Sequence, residues 1–247
     1  MKILKSWVLR VTVSLLFVSM LSACGLFSVS WITSASRNDV VNVGDSIFAL
    51  SGKIHDNLQS FAGQTFRRYS KSGATLTGGD FITPSVDMQY DEAKADGYIR
   101  TIFMDGGANE VLIPYILFFD PYNCKVDWWE SGLSSSCKAL INDVYVDCVN
   151  VLNQMGRDGV QNIIYLGVYH VKNGLFGSTG LNKAVDYGDM KFAQAVANAT
   201  AAPNYRVFID PRPYIVNSDL IYDGVHPSDS GSYKLATLIW AKLQPLL

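Results

Sequence analysis

Serine becomes a useful nucleophile only when a base removes its hydroxyl proton, and that base is usually a histidine. The chain has three histidines, which are His55, His170 and His226. His226 stands in DGVHPS, three residues after Asp223, and on a tight turn or a first helical turn these two side chains can meet. Asp223 would then orient one ring nitrogen while the other faces a serine. The alternative is that Asp223 or Ser228 caps the last helix and His226 has no role.

The candidate nucleophile is Ser46, in the stretch VNVGDSIF at residues 41–48. An apolar run ends there at Gly-Asp-Ser, and a second apolar stretch follows it in the sequence. A serine at this place is either a helix cap or a nucleophile at the edge of a sheet. His170 ends a later strand-like run at the same edge and is a candidate substrate contact. His55 lies on or near the polar side of the following helix-like segment, so we expect it on the surface.

Attack on an acyl group builds negative charge on the carbonyl oxygen, and preorganised donors stabilise that charge. Three donors are candidates. The N–H of Ser46 stands at a helix start, where the helix dipole assists it. Gly73 in KSGAT offers a backbone N–H without a side chain in the way, and Asn109 in GGANE offers an amide. The simpler interpretation makes Gly73 a turn residue and Asn109 a helix cap.

Strand-like and helix-like segments alternate along the chain. Strand-like stretches, of which residues 39–44 are a short apolar run, predict five strands, at residues 39–44, 65–70, 98–107, 160–170 and 205–212. Periodic apolar residues predict four helices, at residues 46–63, 137–156, 183–200 and 229–247. The alternation predicts one α/β domain with a five-stranded parallel sheet wrapped by helices, over residues 39–247. Ligands of such sheets lie beyond the carboxyl ends of the strands, where GDS, SGAT and GGANE fall.

Four short blocks follow one another in the sequence: GDSI (44–47), SGAT (72–75), GGAN (106–109) and DGVH (223–226). In this order they resemble the four blocks of the SGNH/GDSL hydrolases. The resemblance implies a flavodoxin-like three-layer α/β/α fold and an ester hydrolase that needs no metal or cofactor. It implies that Ser46 is the nucleophile, that Asp223 and His226 complete a triad, and that Ser46, Gly73 and Asn109 form the oxyanion hole.

The chain departs from the family pattern at two positions. Ile47 stands where leucine is common, which is a conservative change on a side chain that faces the core. Glu110 stands where the third block usually has aspartate. Because the resemblance assigns the chemistry to Asn109, the change at residue 110 is expected to alter how the loop is held.

The first 23 residues have the pattern of a secretory signal, a basic start followed by an apolar run. That run, residues 11–21, is shorter than the roughly 20 residues that span a bilayer core. The following LSAC resembles the lipobox of bacterial lipoproteins, which implies cleavage before Cys24 and its lipidation. The alternative is an ordinary signal peptide with an incidental cysteine. Gly25 follows the cysteine. Bacterial lipoproteins that lack aspartate at this position usually go to the outer membrane, so the resemblance implies that location in cells that have one. The Ser-rich residues 24–38 are predicted to be a flexible tether between lipid and domain.

The overall charge argues against nucleic acid as a partner. The 20 basic and 22 acidic residues give −2, and removal of three basic residues with the signal leaves 17 against 22, or −5. Three cysteines remain after the signal, Cys124, Cys137 and Cys148, and the sequence leaves open which two of them pair. Their spacing gives little support to a metal site.

The longest insertion, residues 111–138, is rich in aromatic residues and includes Trp128 and Trp129. These side chains form either an aromatic wall beside the site, suited to an acyl chain or a sugar ring, or core beneath a long loop. A disulfide between Cys124 and Cys137 would close a loop around them. The Gly-rich residues 172–182 are a second candidate rim.

The intact blocks favour an esterase or lipase that acts on lipid, a short acyl ester or an O-acylated glycan. The alternatives are a catalytically silent carbohydrate- or lipid-binding lipoprotein on the same scaffold, which would require a missing triad member, and an envelope scaffold. An ester substrate and, through the lipid anchor, the membrane are the partners that the sequence predicts. The oligomeric state does not follow from it.

Overall fold

The computed structural model describes residues 30–80 and 82–247. The predicted signal peptide, residues 1–23, and the predicted lipidation site Cys24 lie outside these residues. Within the described part of the chain, no helix is long and apolar enough to cross a bilayer.

The five predicted strands form one sheet in which every pairing is parallel. In chain order the strands are β1 (Arg37–Val43), β2 (Phe66–Arg68), β3 (Thr101–Met104), β4 (Asn162–Leu166) and β5 (Tyr205–Ile209). Their order across the sheet is β2-β1-β3-β4-β5. The chain therefore leaves β1 toward one side and returns to its other side as β3. In parallel sheets this reversal opens a crevice at the carboxyl ends of β1 and β3, where ligands bind.

Seven α-helices surround the sheet in the described residues. They are α1 (Ser46–Ala49), α2 (Lys53–Ala62), α3 (Val86–Ala95), α4 (Asn109–Phe118), α5 (Ser135–Arg157), α6 (Asn182–Asn198) and α7 (Asp229–Leu243). The single helix predicted over residues 46–63 is two helices, because Gly52 takes a φ of +67° and restarts the chain as α2. Helices α3 and α4 were not predicted.

The sheet buries both faces, as a parallel sheet requires. Alternate strand residues such as Val41, Ile102 and Ile163 join the apolar side chains of α3, α5 and α6 on one face. Their neighbours Val40 and Phe103 join those of α2 and α7 on the other. The arrangement confirms the predicted three-layer α/β/α fold. These layers lie within residues 30–247, so the chain after residue 25 carries a complete core of its own.

The folded part of the chain begins before residue 39. Ile32 and Arg68 form an antiparallel bridge, and Trp31 packs on the ring of Tyr69 at a centroid distance of 5.5 Å. Strand β1 itself begins at Arg37. The end of the predicted tether, residues 24–38, is therefore fixed to the domain, because it pairs with β2 along the edge of the sheet.

The insertion at residues 111–138 is partly helical and covalently closed. It begins inside α4, where Pro114 occupies an interior position. A disulfide joins Cys124 to Cys137 in the first turn of α5, and Cys148 is a free, buried thiol. The disulfide belongs to a third apolar cluster with Ile141 and Leu181. This pairing is one of the three that the sequence left open.

His55 is completely buried, contrary to the surface position expected from the sequence. Its ring stacks on Phe103 at 6.2 Å and meets the edge of Phe66 at 6.5 Å. The break at Gly52 changes the phase of the helix, and His55 consequently points to the sheet beside Ile54. Burial lowers the pKa of His55 to about 3, so the ring is neutral in the folded protein.

Candidate active site

The turn after β1 is held tightly enough to fix the backbone of Ser46. Gly44 has a φ of +153°, and a side chain there would collide with the carboxyl group of Asp105. The side-chain amide of Gln89 accepts from the Gly44 N–H at 2.8 Å and donates to the Gly44 carbonyl at 3.0 Å. Asp45 caps α1 by accepting from the N–H of Ile47 at 2.9 Å. Ser46 is thereby placed at the first position of α1.

Ser46, His226 and Asp223 form a continuous hydrogen-bonded chain. Nε2 of His226 lies 2.9 Å from Oγ of Ser46, and its Nδ1 lies 2.6 Å from Oδ2 of Asp223. All three side chains are buried. The structure thus brings together the three residues that the sequence proposed as a triad. The arrangement lets the histidine accept the serine proton while the carboxylate holds the ring.

The loop before α7 gives Asp223 and His226 their orientation. Gly224 between them has a φ of +83° and packs against the backbone of Gly174. The Asp223 carbonyl accepts from the N–H of Gly177 at 2.9 Å, which ties this loop to residues 172–182. The hydroxyl of Tyr169 donates to the carbonyl of Val225 at 2.8 Å. The turn is therefore fixed by contacts from the loop that follows β4.

Asp223 is kept ionised by its partners. Burial opposes ionisation, but the hydrogen bond and charge of His226 and the N–H groups of Val225 and His226 outweigh it and lower the pKa of Asp223. Those two N–H groups donate to Oδ1 at 2.9 and 3.0 Å. An ionised carboxylate at this place fixes the ring tautomer and stabilises the imidazolium that forms when His226 takes a proton.

The candidate oxyanion donors lie on neighbouring loops. Gly73 has a φ of +78°, and within the described part of the chain neither its N–H nor that of Ser46 donates to another group. The amide of Asn109 donates to the carbonyl of Ala74 at 2.8 Å. Because an amide NH₂ carries two hydrogens, Asn109 holds the 72–75 block with one and keeps the other.

Glu110 holds the second block to the third. Its Oε1 accepts from the N–H of Leu76 at 2.6 Å, and its side chain is largely buried. Burial raises the pKa of Glu110 to about 7. The residue that departs from the family pattern is therefore part of the contact between loop 72–77 and α4, which agrees with the structural role expected for it.

Asp105 is a residue of the site that sequence reasoning missed. Its Oδ1 accepts from the N–H of Asp45 at 2.7 Å. Burial, and then the nearby charge of Asp45, raise the pKa of Asp105 well above its ordinary value, and burial also raises that of Asp45. The two carboxyl groups cannot both ionise in this buried position. The sequence signal that could have indicated Asp105 is its position in MDGG (104–107), directly after the end of β3.

A largely apolar pocket opens beside Ser46 and Asn109. Its walls come from helices α4, α5 and α6 and from the loop after β4. The helical lining includes Val111, Leu112, Ile141, Val144, Ala184 and Phe192. The lining also includes Asp45, Ser46, Asp105 and Asn109, but its apolar helical wall fits the hydrocarbon part of a ligand.

The three residues predicted as substrate contacts do not line this pocket. Trp128 and Trp129 are exposed and pack edge to face on each other at 5.4 Å, so they are neither a pocket wall nor core. His170 is exposed and pairs with Asp186 at 2.8 Å, and that carboxylate also binds Arg212. No cluster of three or more potential metal ligands occurs among the described residues.

The parallel sheet reverses its strand order between β1 and β3, and the Ser–His–Asp chain lies at the carboxyl edge that this reversal opens. No protein-family model matches the sequence, and no curated protein matches it significantly. Solved structures do match the fold. A candidate SGNH hydrolase from Slackia heliotrinireducens superposes with a TM-score of 0.52 at 17% identity, covering 83% of this chain and 97% of that one.

Two structures of esterases are also similar in fold. A catalytic mutant of an acetylxylan esterase from Geobacillus stearothermophilus gives a TM-score of 0.56 at 15% identity, covering 86% of this chain and 96% of that one. An aryl esterase from M. smegmatis gives a TM-score of 0.57 at 11% identity, covering 84% of this chain and 99% of that one. At such identities the likeness establishes the three-layer fold over nearly the whole length of these proteins.

Proposed function

We propose that this chain is a serine ester hydrolase that works through Ser46, His226 and Asp223. One observation carries the proposal: the 2.9 Å and 2.6 Å contacts that link the serine, the histidine and the aspartate at the carboxyl edge of the sheet. Residues so arranged perform nucleophilic acyl transfer on several unrelated folds. The fold-level likeness to esterases supports the same reaction.

In the acylation step, Oγ of Ser46 attacks the ester carbonyl and Nε2 of His226 takes the hydroxyl proton. The tetrahedral intermediate collapses, the bond to the alcohol breaks, and His226 gives its proton to the departing oxygen. Asp223 keeps the ring in the tautomer with Nδ1 protonated and stabilises its positive charge. The product of this step is an acyl-enzyme on Ser46.

The oxyanion of that intermediate lies against the N–H groups of Ser46 and Gly73 and the free amide hydrogen of Asn109. These donors are fixed before the substrate arrives. Asn109 is hydrogen-bonded to the loop that carries Gly73, and Gln89 and Asp105 hold the turn before Ser46. Fixed donors cost no reorganisation during the reaction and each is worth about a hundredfold to a thousandfold in rate.

In the deacylation step, water takes the place of the alcohol. His226 accepts a proton from the water, the resulting hydroxide attacks the acyl carbon, and the bond to Oγ of Ser46 breaks. The proton on His226 returns to Oγ, and the carboxylic acid leaves. The enzyme ends in its starting state, with the proton back on Ser46 and His226 neutral.

The pocket beside Ser46 is the proposed acyl site. Its wall of aliphatic and aromatic side chains from α4, α5 and α6 suits a hydrocarbon chain. The alcohol half of the ester would lie on the open side, toward the loop at residues 172–182. We include O-acylated glycans among the substrates to test, because one of the structures of similar fold is described as an acetylxylan esterase.

The sequence of the first 24 residues supports export and lipidation at Cys24, with anchorage in the cell envelope, at the outer membrane where the organism has one. More than one acyl chain on a single cysteine would anchor the chain stably, where one chain binds only marginally. The membrane is then the second proposed partner of the protein.

The test is an ester assay of residues 25–247 with nitrophenyl esters from acetyl to palmitoyl and with an acetylated xylan, beside the Ser46→Ala variant. Turnover by the parent and none by the variant, with fluorophosphonate labelling of the parent alone, is the expected result. A folded parent that neither hydrolyses any ester nor takes up the label would exclude the proposed function.

A further inference from the structure

Large exposed apolar side chains concentrate on the loops that follow the carboxyl ends of the strands. Ile82 lies on the loop after β2 and is 75% exposed. Trp128 and Phe119, both 91% exposed, lie in the insertion after β3, and Leu175 lies on the loop after β4. We define the apolar rim as Ile82, Phe118, Phe119, Trp128, Trp129 and Leu175. The active-site residues lie at this same edge of the sheet.

This rim is costly in water and has the composition of an interface. Exposed large apolar side chains that gather on one side of a protein mark a surface that contacts a partner or a membrane. Tryptophan in particular prefers the boundary between lipid and water. Two neighbouring tryptophans on a loop closed by a disulfide therefore present a fixed aromatic edge outward.

The chain enters the domain at this edge too. The bridge between Ile32 and Arg68 is antiparallel and lies at the carboxyl end of β2. Going upstream from Ile32, the chain consequently passes beyond that end, where Trp31 packs on Tyr69. The guanidinium of Arg68 donates to the carbonyl of Ser30 at 3.1 Å and fixes the point of entry.

The distance to the predicted anchor is short. Five residues lie between Cys24 and Ser30, and the six Cα-to-Cα steps that join them span at most about 21 Å. An anchor on so short a connection keeps the point of entry near the headgroups. Since that point and the rim share one edge of the sheet, the rim is held toward the bilayer.

We infer that the carboxyl edge of the sheet docks on the lipid surface, with the rim in the interface and the pocket mouth facing the membrane. The occupant of the rim is a phospholipid bilayer, in which the predicted lipid anchor at Cys24 would be inserted. Docking does not depend on hydrolysis, so the inference stands or falls separately from the proposed function.

In the test, residues 25–247 carry an N-terminal hexahistidine, which attaches the protein to vesicles in place of the acyl groups. The vesicles contain phosphatidylethanolamine, phosphatidylglycerol and a small share of a nickel-chelating lipid. An environment-sensitive dye is attached at Phe119→Cys or, as the matched control, at Tyr98→Cys. Tyr98 is 62% exposed and precedes β3 at the opposite edge of the sheet. The Ser46→Ala background gives the same measurement without catalysis.

The expected result is a blue shift of the dye at residue 119 on vesicles and no shift at residue 98. Without the hexahistidine, replacing Trp128 and Trp129 with serine should weaken vesicle binding about tenfold, because binding scales with buried apolar area. Equal shifts at both positions, or none at either, would overturn the inference. A shift at residue 119 without vesicles, together with a dimeric mass, would overturn it in favour of a second copy as the occupant.

Discussion

Asp223 uses both of its carboxylate oxygens on the histidine turn, since Oδ2 accepts from the ring of His226 and Oδ1 accepts from the N–H groups of residues 225 and 226. One side chain therefore orients the base and shapes the loop that carries it. A substitution of Asp223 therefore affects both the orientation of the His226 ring and the shape of the loop.

For Asp223→Asn we expect kcat to fall by about 10⁴, because an amide NH₂ facing Nδ1 favours the wrong ring tautomer. Steady-state kinetics on a nitrophenyl ester measure the change. Asp229→Asn, an exposed acid in the first turn of α7, is the control and should keep the parent rate. A variant that folds and retains more than a tenth of the parent kcat would argue against the assigned role.

Asn109→Ala removes both the proposed oxyanion donor and the bond to the carbonyl of Ala74. We expect kcat to drop by about a hundredfold to a thousandfold with a small change in KM, since the lost donor acts mainly in the transition state. Asn109→Asp keeps the size and lacks the donor, so it should be equally slow. An increase in KM alone would place Asn109 in ground-state binding instead.

Glu110→Gln should change how stability depends on pH. The folded pKa of about 7 lies above the ordinary value of 4.5, so the folded protein holds a proton that the unfolded chain releases in this range. The contribution of Glu110 is present below pH 4.5 and is lost as the pH rises toward 7. Glutamine stays neutral and still accepts from Leu76.

Urea unfolding at several pH values tests this prediction. The free energy of unfolding of Glu110→Gln, relative to the parent, should increase between pH 4.5 and 7. Glu92→Gln, on the exposed side of α3, should give a curve parallel to the parent. Parallel curves for Glu110→Gln as well would mean that the carboxyl is not held in its neutral form.

Ala184→Phe should shorten the pocket, because Ala184 is a small buried residue of its wall on α6. We expect kcat/KM for decanoyl esters to fall by about tenfold or more while acetyl ester hydrolysis is kept. Ala197→Phe, at an exposed position of the same helix, is the matched control. If both chain lengths lose activity equally, the acyl group binds elsewhere.

Replacing Cys124 and Cys137 with serine should lower the free energy of unfolding by about 3 kcal/mol in the chain-entropy model. The bond closes a loop with a sequence separation of 13 residues. A reductant should destabilise the parent by the same amount and leave the double variant unchanged. A double variant as stable as the parent would show that the disulfide adds nothing to the free energy of unfolding.

The sheet was predictable because most strands are short apolar runs that alternate with helix-like segments, and the four blocks marked its carboxyl edge. The predicted sheet and layers are confirmed. Helix α4 was not predicted, since the residues around Pro114 are apolar on every side and show no period. Its existence depends on Asn109 and Glu110, whose contacts reach a loop more than thirty positions away.

The site itself was partly predictable. The triad and the oxyanion donors stand in short blocks, and the structure places the triad residues in contact, while their catalytic roles stay predictions. Asp105 and Gln89 gave no comparable signal, because their importance lies in contacts with the backbone of Asp45 and Gly44. The exposure of Trp128 was also unpredictable, since the disulfide and the carboxylate of Asp120, which accepts from the N–H of Cys124 at 2.7 Å, hold its loop outward.

Ser46 and His226 meet across 180 residues of sequence. On the proposed mechanism, a chain synthesised only as far as α6 has its serine but not its base. Hydrolysis therefore cannot begin until the turn that carries Asp223 and His226 has been made and has reached Ser46.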